Sequence, residues 1–219
     1  MSRIETLEAL RERLGPARPT TLAKILPRVD AQGAEFLRVS PFAVISTVGP
    51  DGTVEASPKG DEPGFIRLED DRTLLLPERA GNNLAFGLQN ILANGRIGLI
   101  AFRPGTGETL RITGTASIHD DADLLAALGS AGRPALLALR VQVERCYFHC
   151  ARSVLRAGLW DAKTWAKAQR VSFGKIISEG LAAGPEMAAT IDESVQGGYT
   201  TRLWSNQACR TPRAAARVK

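Results

Sequence analysis

At 219 residues the chain has room for one to one and a half domains and for a core that needs no covalent staples. Three cysteines (Cys146, Cys150 and Cys209) are too few and too unevenly placed for a disulfide framework, and no apolar run approaches the ~20 residues of a membrane span. The net charge of +5 resides entirely after Glu193, where Arg202, Arg210, Arg213, Arg217 and Lys219 meet no acid; residues 1–193 balance at 23 basic against 23 acidic side chains. A nucleic-acid reading would rest on that tail alone, and a solvated basic tail is the simpler account. No signal-peptide core follows Met1, so the expectation is a cytoplasmic protein that engages neither membrane nor nucleic acid.

The first 40 residues read as a helical lead-in. Ser2 is placed to cap a helix with Ile4, Leu7, Leu10 and Leu14 at helical spacing, ended by Gly15-Pro16. A short helical turn is expected near Leu22–Leu26, and a further helix over Val29–Val39 with Phe36 and Leu37 as its apolar pair.

The texture then changes to β. Phe42–Val48 is a β-favouring run, Gly49-Pro50-Asp51-Gly52 is turn chemistry, and Thr53–Ser57 returns antiparallel. Phe65–Leu68 and Thr73–Leu76 flank an acidic turn. Asn82–Ala93 reads as a helix, and Ile97–Phe102 as a strand apolar on both faces. Glu108–Ile118 alternates cleanly, with Leu110, Ile112 and Gly114 on one side and Thr109, Arg111 and Thr113 on the other. A short helix at Asp121–Leu128 precedes a strand from Leu136 to about His149, whose apolar phase flips beyond Arg145 and implies a bulge.

From about Ala151 the chain is helical again: Ser153–Arg156, Ala162–Arg170, Phe173–Leu181 and Glu186–Val195. The expected class is mainly β, a six-stranded antiparallel barrel with helical extensions at both ends. The expected divisions are 1–40, a β domain over 41–160, helices over 161–205, and a disordered basic tail over 206–219.

Three polar clusters carry the chemistry. In Leu76-Pro77-Glu78-Arg79-Ala80-Gly81-Asn82-Asn83 a strand ends, Arg79 supplies a cation, and Asn82 or Asn83 is placed to cap the following helix, whose N-terminus favours anions. Ser57-Pro58-Lys59-Gly60-Asp61 ends another strand with a hydroxyl, a cation and a glycine. Thr109, Arg111 and Thr113 share one polar strand face. Together they suit a flat, polyhydroxylated, phosphorylated ligand.

These segments, with Phe42-Ala43-Val44-Ile45-Ser46-Thr47, Pro63-Gly64-Phe65, Gly107–Gly114 and Phe148-His149-Cys150, resemble the pyridoxamine 5′-phosphate oxidase-like family of FMN-binding split barrels over roughly residues 20–160. The likeness is greatest to a branch of bacterial flavoproteins of mostly unassigned substrate. The resemblance implies a homodimer with FMN in two clefts between subunits. It implies Ser57 and Lys59 along the flavin ring, Arg79, Asn82 and Asn83 at the phosphate, and Thr109 and Arg111 reaching the cofactor across the interface. Lys59 near the pyrimidine end would stabilise the anionic reduced flavin.

The chain also departs from that family. Vitamin B6 oxidases carry an Arg-Lys pair after the equivalent strand, where this chain has Ala80-Gly81-Asn82-Asn83, and no C-terminal segment for a substrate phosphate is evident. Both departures argue against pyridoxamine phosphate as the substrate.

Other motifs have blander readings. Trp160 either covers the flavin ring or anchors the dimer, and His149 is either a proton donor or a packed, hydrogen-bonded side chain. Cys146 and Cys150 point to one side of their strand and His149 to the other, so they form no metal site. Ser172-Phe173-Gly174-Lys175 has no companion motif that would make it an acyl-serine centre. Without a dinucleotide fingerprint, a nicotinamide would enter only as a diffusible electron donor. The expected activity is FMN-dependent electron transfer to or from a small organic molecule. The rival is a non-catalytic FMN-binding carrier or redox-responsive protein.

Overall fold

A computed structural model describes residues 3–204. Seven strands form one antiparallel sheet: β1 (Phe42–Val48), β2 (Val54–Gly60), β3 (Arg67–Asp70), β4 (Thr73–Glu78), β5 (Arg96–Phe102), β6 (Thr109–His119) and β7 (Leu137–His149). Their order is β2-β1-β5-β6-β7-β4-β3, so the sheet does not close and the expected six strands become seven. The expected segment Phe65–Leu68 appears, shifted two residues, as β3, a four-residue edge that pairs with β4 among the described residues.

The alternation expected of the strands sorts them about one core. Ala43 and Ile45 of β1, Leu74 and Leu76 of β4, Leu99 of β5, Leu110 and Ile112 of β6, and Leu139 and Val141 of β7 are all buried in it. Two prolines sit in strands where pairing permits. Pro58 lies in the edge strand β2, and Pro77 lies beyond Leu75, the last β4 residue paired with β3.

The phase flip in β7 is a bulge. Thr113 pairs with Arg145 but Gly114 with Val143, leaving Glu144 as the extra residue. Gly114 is required there, because a Cβ would stand 1.9 Å from the carbonyl oxygen of Gln142. Past the bulge β7 loses β4 as a neighbour and takes a partner from the lead-in, where Leu26 and Cys146 exchange backbone hydrogen bonds.

Among the described residues eight α-helices accompany the sheet. The lead-in holds α1 (Leu7–Leu14), α2 (Pro19–Ala23) and α3 (Ala31–Arg38). Thr6 rather than Ser2 caps α1, and α2 begins one turn earlier than expected because Pro19 fits a first helical position. Asp30 caps α3 and accepts from the Gly33 amide, and α3 sends Phe36 and Leu37 into the core. Next come α4 (Phe86–Asn94), α5 (Ala122–Ala127), α6 (Arg152–Arg156), α7 (Phe173–Gly180) and α8 (Pro185–Thr201).

Of the helix expected over Ala162–Arg170 only a 3-10 turn, Ala162–Thr164, forms. Thr164 Oγ1 donates to the Gly158 and Asp161 carbonyls and Trp165 Nε1 to Leu159, local bonds that compete with helical ones. The helices α7 and α8 pack on each other. Gly174 lies against the backbone of Ala188, and Asp192 accepts from both Ser172 Oγ and the Gly174 amide. The tail over 206–219 lies outside the described residues. Among the described residues no helix is long and apolar enough to cross a membrane.

Candidate functional site

The open seam of the sheet brings β2 opposite β4. On β2 the inward positions follow from pairing: Lys59 stands opposite Ala43 and Ser57 opposite Ile45, both core residues of β1. On β4 Glu78 continues the inward series of Leu74 and Leu76. Lys59 and Glu78 therefore face each other across the seam, and Lys59 Nζ donates to both carboxylate oxygens at 2.6 and 2.5 Å. Their side chains are only 11% and 5% exposed.

A second pair lies beside it. Arg79 Nε donates to Asp61 at 2.6 Å, and its Nη2 donates to the Leu128 carbonyl at 2.8 Å. Asp61 is 2% exposed and Arg79 20%. Both pairs satisfy the rule that a charge withdrawn from water needs a partner.

Around these pairs is a cleft of about 340 Å³, lined by Ser57, Lys59, Asp61, Glu78, Arg79 and Asn82 together with neighbouring backbone. That volume falls within the roughly 300–1,000 Å³ of ligand clefts. Four residues nominated from sequence, Ser57, Lys59, Arg79 and Asn82, thus converge in one place, although two come from residues 57–59 and two from 79–82. The two carboxylates, Asp61 and Glu78, were not nominated. An acid within two residues of each predicted cation was the available signal, and only the fold reveals that each cation meets its acid across the seam. Beyond Arg79 a cavity of about 50 Å³ is bounded by the Gly129–Ser130 turn, where the buried Ser130 hydroxyl has no hydrogen-bond partner among the described residues.

The junction after Arg79 is not a capped helix start. The helix α4 begins at Phe86, behind Ala85 in a left-handed conformation with φ 53°, and no side chain caps it. Asn82 Oδ1 accepts from the Ala85 amide at 3.2 Å, a local turn bond that replaces the expected cap. Asn83 is exposed and does not line the cleft.

Thr109 and Arg111 stand on the other face of the sheet. Val44, Ile100, Arg111 and Tyr147 form one row across β1, β5, β6 and β7 through consecutive pairings. All four are half-buried on the side away from the core. Arg111 lies 5.4 Å from the centroid of the Tyr147 ring, and among the described residues it has no acidic partner. Lys24 Nζ approaches the same ring at 5.8 Å and donates to the Phe148 carbonyl.

Trp160 Nε1 donates to the Thr106 carbonyl at 2.8 Å, fixing the segment after α6 onto the β5–β6 turn; it does not line the cleft. His149 is exposed and paired in register with Thr109. Cys146 is buried beside core residues, and burial pushes its thiol up to about 12, whereas Cys150 is exposed. Among the described residues no group of three His, Cys, Asp or Glu side chains is placed to hold a metal ion.

The donor set fits a phosphorylated, hydroxyl-rich ligand in kind. Its charge does not fit a phosphate within one protomer, because the four ionisable groups of the cleft sum to zero.

A family model described as pyridoxamine 5′-phosphate oxidase matches residues 29–150, more than half of the chain. No curated protein matches it. Among solved structures, HupZ from Group A Streptococcus is 21% identical with TM-score 0.44, the match covering 55% of this chain and 93% of that one. A protein from Clostridium acetobutylicum related to general stress protein 26 is 16% identical with TM-score 0.43, covering 54% and 86%. HutZ, the heme storage protein from Vibrio cholerae, is 14% identical with TM-score 0.40, covering 56% and 94%.

Proposed function

The chain belongs to the pyridoxamine 5′-phosphate oxidase family, and from that premise we propose that it is an FMN-dependent oxidoreductase acting on a small organic molecule. The observation that carries the reading is the convergence of Ser57, Lys59, Arg79 and Asn82 on one cleft at the seam of the sheet. Bound FMN would supply two-electron transfer; the chain's own residues bind it, orient it and set the charge around it.

In this reading Arg79, held by Asp61 and the Leu128 carbonyl, presents a preorganised guanidinium to the phosphate, with Asn82 beside it. Ser57 and Lys59 lie along the ring. Thr109 and Arg111 come from a second copy. The half-buried row of Val44, Ile100 and Tyr147 flanking Arg111 supplies an apolar surface for that contact, and Phe42 and Phe102, with ring centroids 5.9 Å apart, extend it. The homodimer thereby makes an electroneutral cleft cationic. A nicotinamide, if it donates electrons, does so as a diffusible molecule.

Purified protein should be yellow or take up added FMN, and a colourless protein that ignores FMN overturns the reading. Arg79→Ala should weaken FMN binding by ~1.5–3 kcal/mol, the range for a hydrogen bond to a charged group. Fluorescence titration reads this, and an unchanged affinity moves the phosphate elsewhere.

One observation favours a non-catalytic carrier: all four ionisable side chains of the cleft are engaged in ion pairs, leaving none ready as an acid or base. Turnover of reduced FMN-protein with a panel of acceptors separates the two readings, and binding without turnover selects the carrier.

A further inference from the structure

The Lys59–Glu78 pair is more than a closure of the seam. It sits at the mouth of the open seam, largely withdrawn from water, and both partners line the cleft. A charge so placed is poorly screened by salt and acts over several ångströms. Lys59 alone would draw electron density toward the cleft and favour a ligand that gains negative charge. Glu78, bonded to the ammonium through both oxygens, cancels most of that pull. Among the described residues no other acid bonds to Lys59, and Asp61 is committed to Arg79.

We propose that Glu78 is a positioning residue that sets how strongly the cleft prefers reduced over oxidised flavin, by neutralising Lys59. The inference rests on the reading that this cleft holds FMN. Glu78 holds the Lys59 ammonium in place and offsets its charge, so the cation orients the ring edge without trapping the reduced form. The sequence offers no sign of this, because residues 59 and 78 belong to β2 and β4, the first and the sixth strands in the sheet order.

The test compares dissociation constants for oxidised FMN and for dithionite-reduced FMN, measured anaerobically by ultrafiltration. In Glu78→Gln the ratio of oxidised to reduced constants should rise about tenfold, the order expected when one poorly screened charge beside the cleft is removed. Glu78→Asp, which keeps the charge, should stay near the wild-type ratio, and Lys59→Met should move it the opposite way. A purely structural role would weaken binding of both forms equally and leave the ratio unmoved. If wild type binds FMN and neither Glu78→Gln nor Lys59→Met changes the ratio beyond twofold, the inference is overturned while the cofactor reading stands. If wild type binds neither form, the cofactor reading falls and takes this inference with it.

Discussion

The mouth of the open seam and the outward face of β6 and β7 each carry cations, and they hold them under different rules. At the mouth, Lys59 and Arg79 are largely withdrawn from water, and each is matched by its own carboxylate across the seam. On the outward face Arg111 stands over the ring of Tyr147, which Lys24 also approaches, and meets no acid among the described residues. Burial explains the difference. An unpaired charge inside the mouth would carry the full cost of desolvation, whereas a half-buried guanidinium on an open face keeps water on one side. A cation nominated from sequence is therefore not yet a free charge. The two at the mouth are spent on each other's strands, and the one outside is available to a partner.

The sharpest way to break this contrast is to orphan the buried cation. Glu78→Ala should cost ~3–5 kcal/mol in chemical denaturation, the penalty for removing one partner of a buried ion pair. The double change Lys59→Met with Glu78→Leu should recover most of that, since an apolar pair of similar volume replaces it. If Glu78→Ala melts like wild type, the mouth is wetter than the structure implies.

Arg111→Ala should do the reverse and leave the monomer's stability within ~0.5–1 kcal/mol, the worth of an exposed cation–π contact. The same variant should weaken FMN binding and shift the sedimentation profile toward monomer if the outward face is the dimer contact. Stability loss without either effect would place Arg111 in the fold rather than the site.

The smallest effect concerns the cysteines at the end of β7. Iodoacetamide at pH 8 should label Cys150 and spare Cys146 until the protein unfolds, as mass spectrometry of the peptides would show. Burial lifts the Cys146 thiol from 9.0 to about 12. Stability from this residue is therefore complete below pH 9 and is lost as pH rises toward 12, because the unfolded chain releases that proton first.

Much of the fold was legible along the chain. Alternation in Leu110, Ile112 and Gly114 marked the buried face of β6, and the broken phase after Arg145 marked the bulge at Glu144. Period and phase are local properties, so a single chain displays them. The start of α4 at Phe86 differs from the expected Asn82 because Asn82 and Asn83 are good caps in general, and the bond from Ala85 to Asn82 that displaces the helix is a matter of local geometry. The helix expected after Ala162 failed for a related reason, since Thr164 and Trp165 bond back to nearby carbonyls.

For the site, the sequence alone marked Ser57, Lys59, Arg79 and Asn82 as polar groups in or just after strands, and the fold brings these four to one cleft. Tertiary structure decided what charge they present. Lys59 meets Glu78, and Arg79 meets Asp61, only because an open seven-stranded sheet curls until its second and fourth strands face each other. Ion pairing depends on distance in space, and no spacing along the chain encodes that distance.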